Sequence, residues 1–380
     1  MRRTALFVAI AAVLVGTPAV AQQAAIPGWV DLVQPTSPVH QPQTEAEKKI
    51  GLEQGRPLPS PELLQPSLDP ALPNYLPGKA HLHGHFKAAA SDVLAVLVKH
   101  WVAAFHKYQP GITIDVPPPY AGSTGAQELA KQELDFAFVS RELRPADITD
   151  FQARFGYPPL SVPISGGSYR VYGALDSVGF IVNRNNPIDQ LSFAQLDAIL
   201  STTHYRGGAP IRTWGQLGLG GDWANKPIHV YAIKPWNGFE EFIRQRVLST
   251  PGHRGEWRTD LNFADVVFPI AGEVAKDPYA LGYTGMAYLD APVKVIALQA
   301  APNGPAISPT YEGVASATYP LSRLTYFNVN KKPGEPLDPA VAEFLHFILS
   351  RQGQAIVRDQ GIYMPLRGFQ ADQSLSLLGR

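Results

Sequence analysis

The chain has 380 residues, 45% hydrophobic and 17% charged, enough to bury a core in one large or two medium domains and too apolar for a disordered, charge-rich chain. Its 32 Lys and Arg balance 32 Asp and Glu without any basic run, which removes the electrostatic case for a nucleic-acid partner. Cysteine is absent, which excludes disulfides, thiolate metal sites, cysteine nucleophiles and thioether lipid anchors.

The chain opens on Arg2 and Arg3, an apolar run from Ala5 to Val15, and the small residues Ala19-Val20-Ala21 ahead of Gln22. This is the three-part pattern of a secretory signal peptide, and its apolar run is too short to span a bilayer. The expected product is a soluble periplasmic or secreted protein with no membrane insertion and no lipid tether, residues 1–21 being removed. Residues 22–78 are rich in proline, as in Pro57-Leu58-Pro59-Ser60-Pro61. Fixed φ angles and missing N–H donors favour extended segments there, a spacer or an arm that wraps the body through Trp29, Leu63, Leu64 and Tyr75.

The body alternates strands and helices. Val93, Leu97, Trp101 and Phe105 recur every four residues, which predicts a helix over 91–108 with Ser91 as its N-cap. Strands are predicted over 112–116, 135–139, 179–183, 228–233, 293–298 and 324–329. Helices are predicted over 126–132, 192–200, 238–248 and 338–349, the last with Asp338 as cap and Pro339 in the first turn. Such alternation points to α/β architecture with ligands at strand C-termini.

Several stretches together resemble the PstS-like phosphate-binding group of type II periplasmic solute-binding proteins. They are Ser91-Asp92-Val93-Leu94, Gly122-Ser123-Thr124-Gly125, Leu134 to Arg141, Val178 to Asn183, Trp214 to Gly218, Leu281 to Gly285, Tyr319-Pro320-Leu321-Ser322-Arg323 and Glu343 to Gln354. The resemblance runs from about residue 80 to 366. It implies an α/β fold of two lobes, joined by two hinge crossings and clamping a ligand in the cleft between them. Lobe I would comprise 79–178 and 316–380, and lobe II 179–315. It further implies capture of phosphate or a related oxyanion as a monomer, with an ABC-type permease as partner and no cofactor.

The resemblance also implies where the ligand would be held. The first region is Ser91, Asp92 and Val93, with Val93 where a threonine is expected, so that only its backbone N–H would donate. The second is Ser140 beside Arg141, with Ser123 and Thr124 in the neighbouring turn. The third is normally an arginine followed by Ser-Gly-Thr. Here it reads Ile233-Lys234-Pro235-Trp236-Asn237-Gly238-Phe239, leaving Lys234, Asn237, Gly238 and Phe239 as its candidate contacts. Loss of a bidentate guanidinium and two hydroxyls is worth several charge-assisted bonds of roughly 1.5–3 kcal/mol each. A divergent member binding a larger, more apolar ligand or a protein is therefore the alternative reading, and Glu240 at the helix start would add repulsion.

Two other chemistries have sequence support. His81, His83 and His85 alternate and would share one face of a strand, the weak case for a metal against a simple polar edge. Ser123 in its glycine turn offers a nucleophile for a secreted phosphate-ester hydrolase, but the Gly-x-Ser-x-Gly elbow is missing there and no His or Asp partner follows from spacing. The expectation is a binding protein, not an enzyme.

Overall fold

The computed structural model describes residues 68–78, 82–118, 124–169, 175–235, 238–289 and 291–379, and the paired backbones of Gln34–Pro35 and Leu64–Gln65. The expected leader, Trp29 and Leu63 lie outside the described residues.

In chain order the elements that build the cleft are β1 (Gly84–Ala90), α1 (Ala95–Tyr108), β2 (Ile112–Asp115), α2 (Thr124–Ala130), β3 (Phe136–Val139), α3 (Pro145–Phe155) and β4 (Leu160–Gly166). After the first crossing come β5 (Val178–Asn183), α4 (Phe193–Leu200), β6 (His229–Ile233), α5 (Gly238–Ile243), β7 (Asn262–Ala264), α6 (Ile270–Lys276), β8 (Ala280–Gly285) and β9 (Val293–Val295). The chain then returns through β10 (Leu324–Val329), α7 (Pro339–Ile348), α8 (Arg351–Gln360) and α9 (Gly368–Ser376).

Two five-stranded sheets result, in the orders β2-β1-β3-β10-β4 and β7-β6-β8-β5-β9. In each, four strands run in the same direction, and the strand that follows a crossing, β10 or β5, lies antiparallel to both its neighbours. This is the expected two-lobed α/β fold. The central strand β3 is apolar and buried throughout, as a strand covered on both faces must be. Pro163 lies in β4, an edge strand, where a missing N–H costs no ladder bond inside the sheet.

Each lobe has its own core. Leu97, Trp101 and Phe105 of α1 pack with Phe136, Phe138, Phe327 and Phe344 in the first, and Phe180, Trp214, Ile243 and Tyr283 anchor the second. The crossings are hydrogen-bonded to one another: Gly167 N–H donates to Arg323 O at 2.8 Å, and Tyr319 Oη donates to Val178 O at 2.8 Å. A Cβ on Gly167 would stand 2.4 Å from Leu175 O, so only glycine fits that close approach.

Three local expectations are corrected. Ser91 makes no capping bond, and α1 begins at Ala95 after a 3-10 turn over Asp92–Leu94. The strand expected over 293–298 divides at Ile296, because Ile296 N–H donates to Phe180 O while Ala297 N–H donates to Asp189 O, and residues 297–299 then pair with 190–192 instead. The helix expected over 238–248 turns into a π-helical turn at Arg244–Leu248, where Ser249 N–H reaches back five residues to Arg244 O at 2.9 Å.

Residues 68–78 dock on α7, α8 and α9. Tyr75 is buried, its hydroxyl donating to Glu343 at 2.7 Å and its N–H to Gln352 Oε1 at 2.8 Å. Asp69 accepts from Gly368 N–H and Ala71 N–H and pairs with Arg367 at 3.2 Å. Burial alone would raise the Asp69 carboxyl, but those N–H donors and the Arg367 charge hold it below its ordinary 3.8. A depressed carboxyl stabilises above its unfolded value and stops doing so as pH falls through its folded one. Protection from hydrogen exchange at residues 69–75, relative to the intrinsic rate at each pH, should therefore hold at neutral pH and fall below about pH 4, ahead of α7. Loss of protection in both segments at the same pH would disprove a pH-dependent hold by Asp69.

Candidate functional site

Parallel strands β1 and β3 end side by side, Ala90 opposite Phe138, so the residues that follow them emerge together at the cleft. Ser91 N–H donates to Phe138 O at 2.9 Å, and Ser140 N–H donates to Ser91 Oγ at 3.2 Å. The Ser91 hydroxyl thus ties the two strand ends together, the role it takes in place of the expected cap. Asp92 Oδ1 accepts from Val93 N–H at 2.9 Å, so the backbone donor expected to face a ligand at Val93 is already used locally.

Arg141 follows Ser140 into the interior and is 7% exposed. Its Nη1 donates to Glu142 O at 2.7 Å and to Asp147 Oδ2 at 2.8 Å, while Nε and Nη2 are buried without a partner among the described residues. A guanidinium cannot shed its proton to relieve this, so two strong donors stand ready for an anion beside Ser140.

The third region is only partly as expected. Lys234, the candidate replacement cation, already pairs with Asp265 at 2.5 Å in an exposed surface ion pair. Asn237 and Trp236 lie outside the described residues, as does Ser123. Thr124 is the first residue of α2, and its side chain is not described. A Cβ on Gly238 would meet nothing within 4 Å, so the backbone at the start of α5 faces open space. Phe239 is half-buried, packs edge-on to Tyr288 at 6.1 Å, and lies under the Arg323 guanidinium. The expected repulsion by Glu240 is quenched: its carboxylate is buried and accepts from Arg244 and from Trp257 Nε1. Glu241 is likewise clamped by both Nη atoms of Arg254.

Across the cleft, Glu142 of the first lobe pairs with Arg246 of the π-helical turn at 2.8 Å and accepts from Tyr326 Oη at 3.1 Å. Sequence reasoning did not single out Glu142, Arg246 or Tyr326, and had Arg323 only as a landmark. The pair is 104 residues apart in sequence, and no local pattern signals such a contact.

His83 and His85 are exposed; His85 pairs with Asp115 at 3.1 Å, and His81 lies outside the described residues. Among the described residues no cluster of three His, Asp or Glu could hold a metal, and no helix is long and apolar enough to cross a membrane.

A PBP superfamily domain model matches residues 77–352. The phosphate-binding protein PstS of Pseudomonas aeruginosa is 31% identical over 314 residues, covering 82% of this chain and 92% of that protein. Protein SphX of Synechococcus elongatus is 24% identical, covering 69% of this chain and 72% of its own. Among solved structures, PstS from Borrelia burgdorferi superposes with a TM-score of 0.50 at 17% identity, covering 75% of this chain and all of that one, a likeness of fold.

Proposed function

The chain belongs to the PstS phosphate-binding proteins of the PBP superfamily, and on that premise we propose that it captures phosphate between its lobes for ABC-type uptake. We assign residues 79–178 and 316–380 to lobe I and 179–315 to lobe II, with export after cleavage behind Ala21 and a permease as the receiving partner. The observation that carries the reading is Arg141, a buried guanidinium with two unpartnered nitrogens directly after the strand-end serine. A tetrahedral oxyanion would take charge-assisted bonds from those nitrogens, with the Ser140 hydroxyl beside them and Gly238 N–H opposite. Ser123, Thr124 and Asn237 remain proposed contacts in the same region.

Phe239, a candidate contact of the third region, already packs against Tyr288 and lies under Arg323, which does not favour the alternative of a larger, more apolar ligand. The family is one of binding proteins, and Ser123, the nucleophile of the hydrolase reading, lies outside the described residues.

The test is calorimetric titration of inorganic phosphate into the chain from Gln22 onward, refolded to remove co-purified ligand. Binding in the micromolar range or tighter is expected, weakened roughly tenfold by Ser140→Ala. No heat at millimolar phosphate would overturn the proposal.

A further inference from the structure

Arg323 lies where the chain returns from the second lobe, its carbonyl held by Gly167 N–H of the other crossing. The residue is 6% exposed. Its guanidinium carbon stands 5.3 Å from the centre of the Phe239 ring and 4.9 Å from that of Phe242, both on α5 of the opposite lobe. Among the described residues it makes no side-chain hydrogen bond and no ion pair, and Nε is buried with nothing to donate to. The carboxylates whose fields reach it are both committed. Glu142 holds Arg246 and the Tyr326 hydroxyl, and Asp176 accepts from Ala287 N–H at 2.8 Å.

We propose that Arg323 is a second ligand-facing cation of the cleft, recognising a tetrahedral oxyanion with its planar fork while two phenylalanine rings fix the plane of that fork. The inference rests on the oxyanion reading above and extends it to a residue outside the three expected regions. A buried guanidinium without a carboxylate is costly to the fold and cannot escape by deprotonation, although burial does push it down. Aromatic faces offset part of that cost but leave the in-plane N–H donors unused. An anion carrying at least two charged oxygens satisfies them, and its negative charge balances both Arg141 and Arg323. Because the rings belong to the opposite lobe, the fork is oriented only when the lobes are together. Ligand binding and closure are thereby coupled.

A purely structural arginine and a ligand-facing one make opposite predictions for the free protein. Removing an uncompensated buried charge leaves the apo form as stable or more stable, whereas removing a structural anchor lowers its melting temperature. Inorganic phosphate should be titrated calorimetrically into the full chain from Gln22 with Arg323→Met and Arg323→Lys, with melting curves recorded with and without phosphate. Arg323→Met is expected to bind roughly 10²–10³-fold more weakly, to melt no lower than wild type when free, and to lose the phosphate-induced rise. Arg323→Lys, with charge but no fork and no stacking plane, should fall between the two. Wild type binding phosphate while Arg323→Met binds it equally well would overturn this inference alone. So would a variant that melts lower when free, if its affinity is not partly restored by lysine. A wild type that takes no phosphate would instead overturn the functional reading on which the inference depends.

Discussion

Replacing Arg141 with methionine should weaken phosphate binding by roughly three orders of magnitude, the loss of two or more charge-assisted bonds to a desolvated anion. Arg141 also partners Asp147, which is 6% exposed and caps the start of α3 through Arg144 N–H at 2.8 Å. The single variant therefore strips a buried carboxylate of its cation, a change expected to lower stability by about 3–5 kcal/mol at most. Affinity and stability would fall together, and the two causes must be separated. Arg141→Met combined with Asp147→Asn removes both charges at once. That double variant should regain most of the stability, because the amide still has Arg144 N–H to accept, and should regain none of the affinity. Calorimetry and urea unfolding on the same preparations read both quantities. Recovery of affinity in the double variant would show that Arg141 acts only by holding Asp147.

Much of the scaffold was legible because the relevant signals are local. The apolar run at Phe136–Val139 is continuous, so it reads as a central strand, and Leu97, Trp101 and Phe105 return at helical spacing and are buried. Other elements were hidden by competing local preferences. β1 ends in Ala88-Ala89-Ala90, residues with little strand preference, yet they pair with Phe136–Phe138 of β3 and are fully buried. The strand end at Ile296 could not be read, since the switch depends on whether residue 180 or 189 supplies the next acceptor. The candidate site was half legible for the same reason. Ser140 and Arg141 follow a recognisable strand and lie where the strand order places them. Lys234 was a candidate only through the resemblance, and its exposed partner Asp265 sits 31 residues further on. Arg323 and Phe239 stand 84 positions apart and meet where the chain returns from the second lobe, a juxtaposition with no trace in either neighbourhood.

Trp101→Ala should lower the stability of the protein by about 3–5 kcal/mol, the range for truncating a fully buried aromatic residue. Trp101 has no exposed surface, stacks on Phe138 of β3 at 6.3 Å, and donates from Nε1 to Gly353 O at 2.8 Å. It thus joins α1, the sheet and α8, while α1 itself starts directly behind the Ser91 turn. Gly353 allows no substitute anchor: a Cβ there would stand 2.2 Å from Phe347 O. Trp101→Phe keeps much of the apolar contact and loses the N–H donor, so it should cost less than the alanine variant. Phosphate makes the consequence for function measurable. A ligand that binds only the folded state adds about 2.7 kcal/mol at one hundred times its dissociation constant. Trp101→Ala, whose binding groups are all intact, should recover that amount in urea unfolding with phosphate, whereas the Arg141 and Asp147 double variant should recover none. Equal recovery by both would mean that phosphate is held without Arg141. No recovery by Trp101→Ala would mean that the α1 anchor fixes the strand-end loops as well as the core.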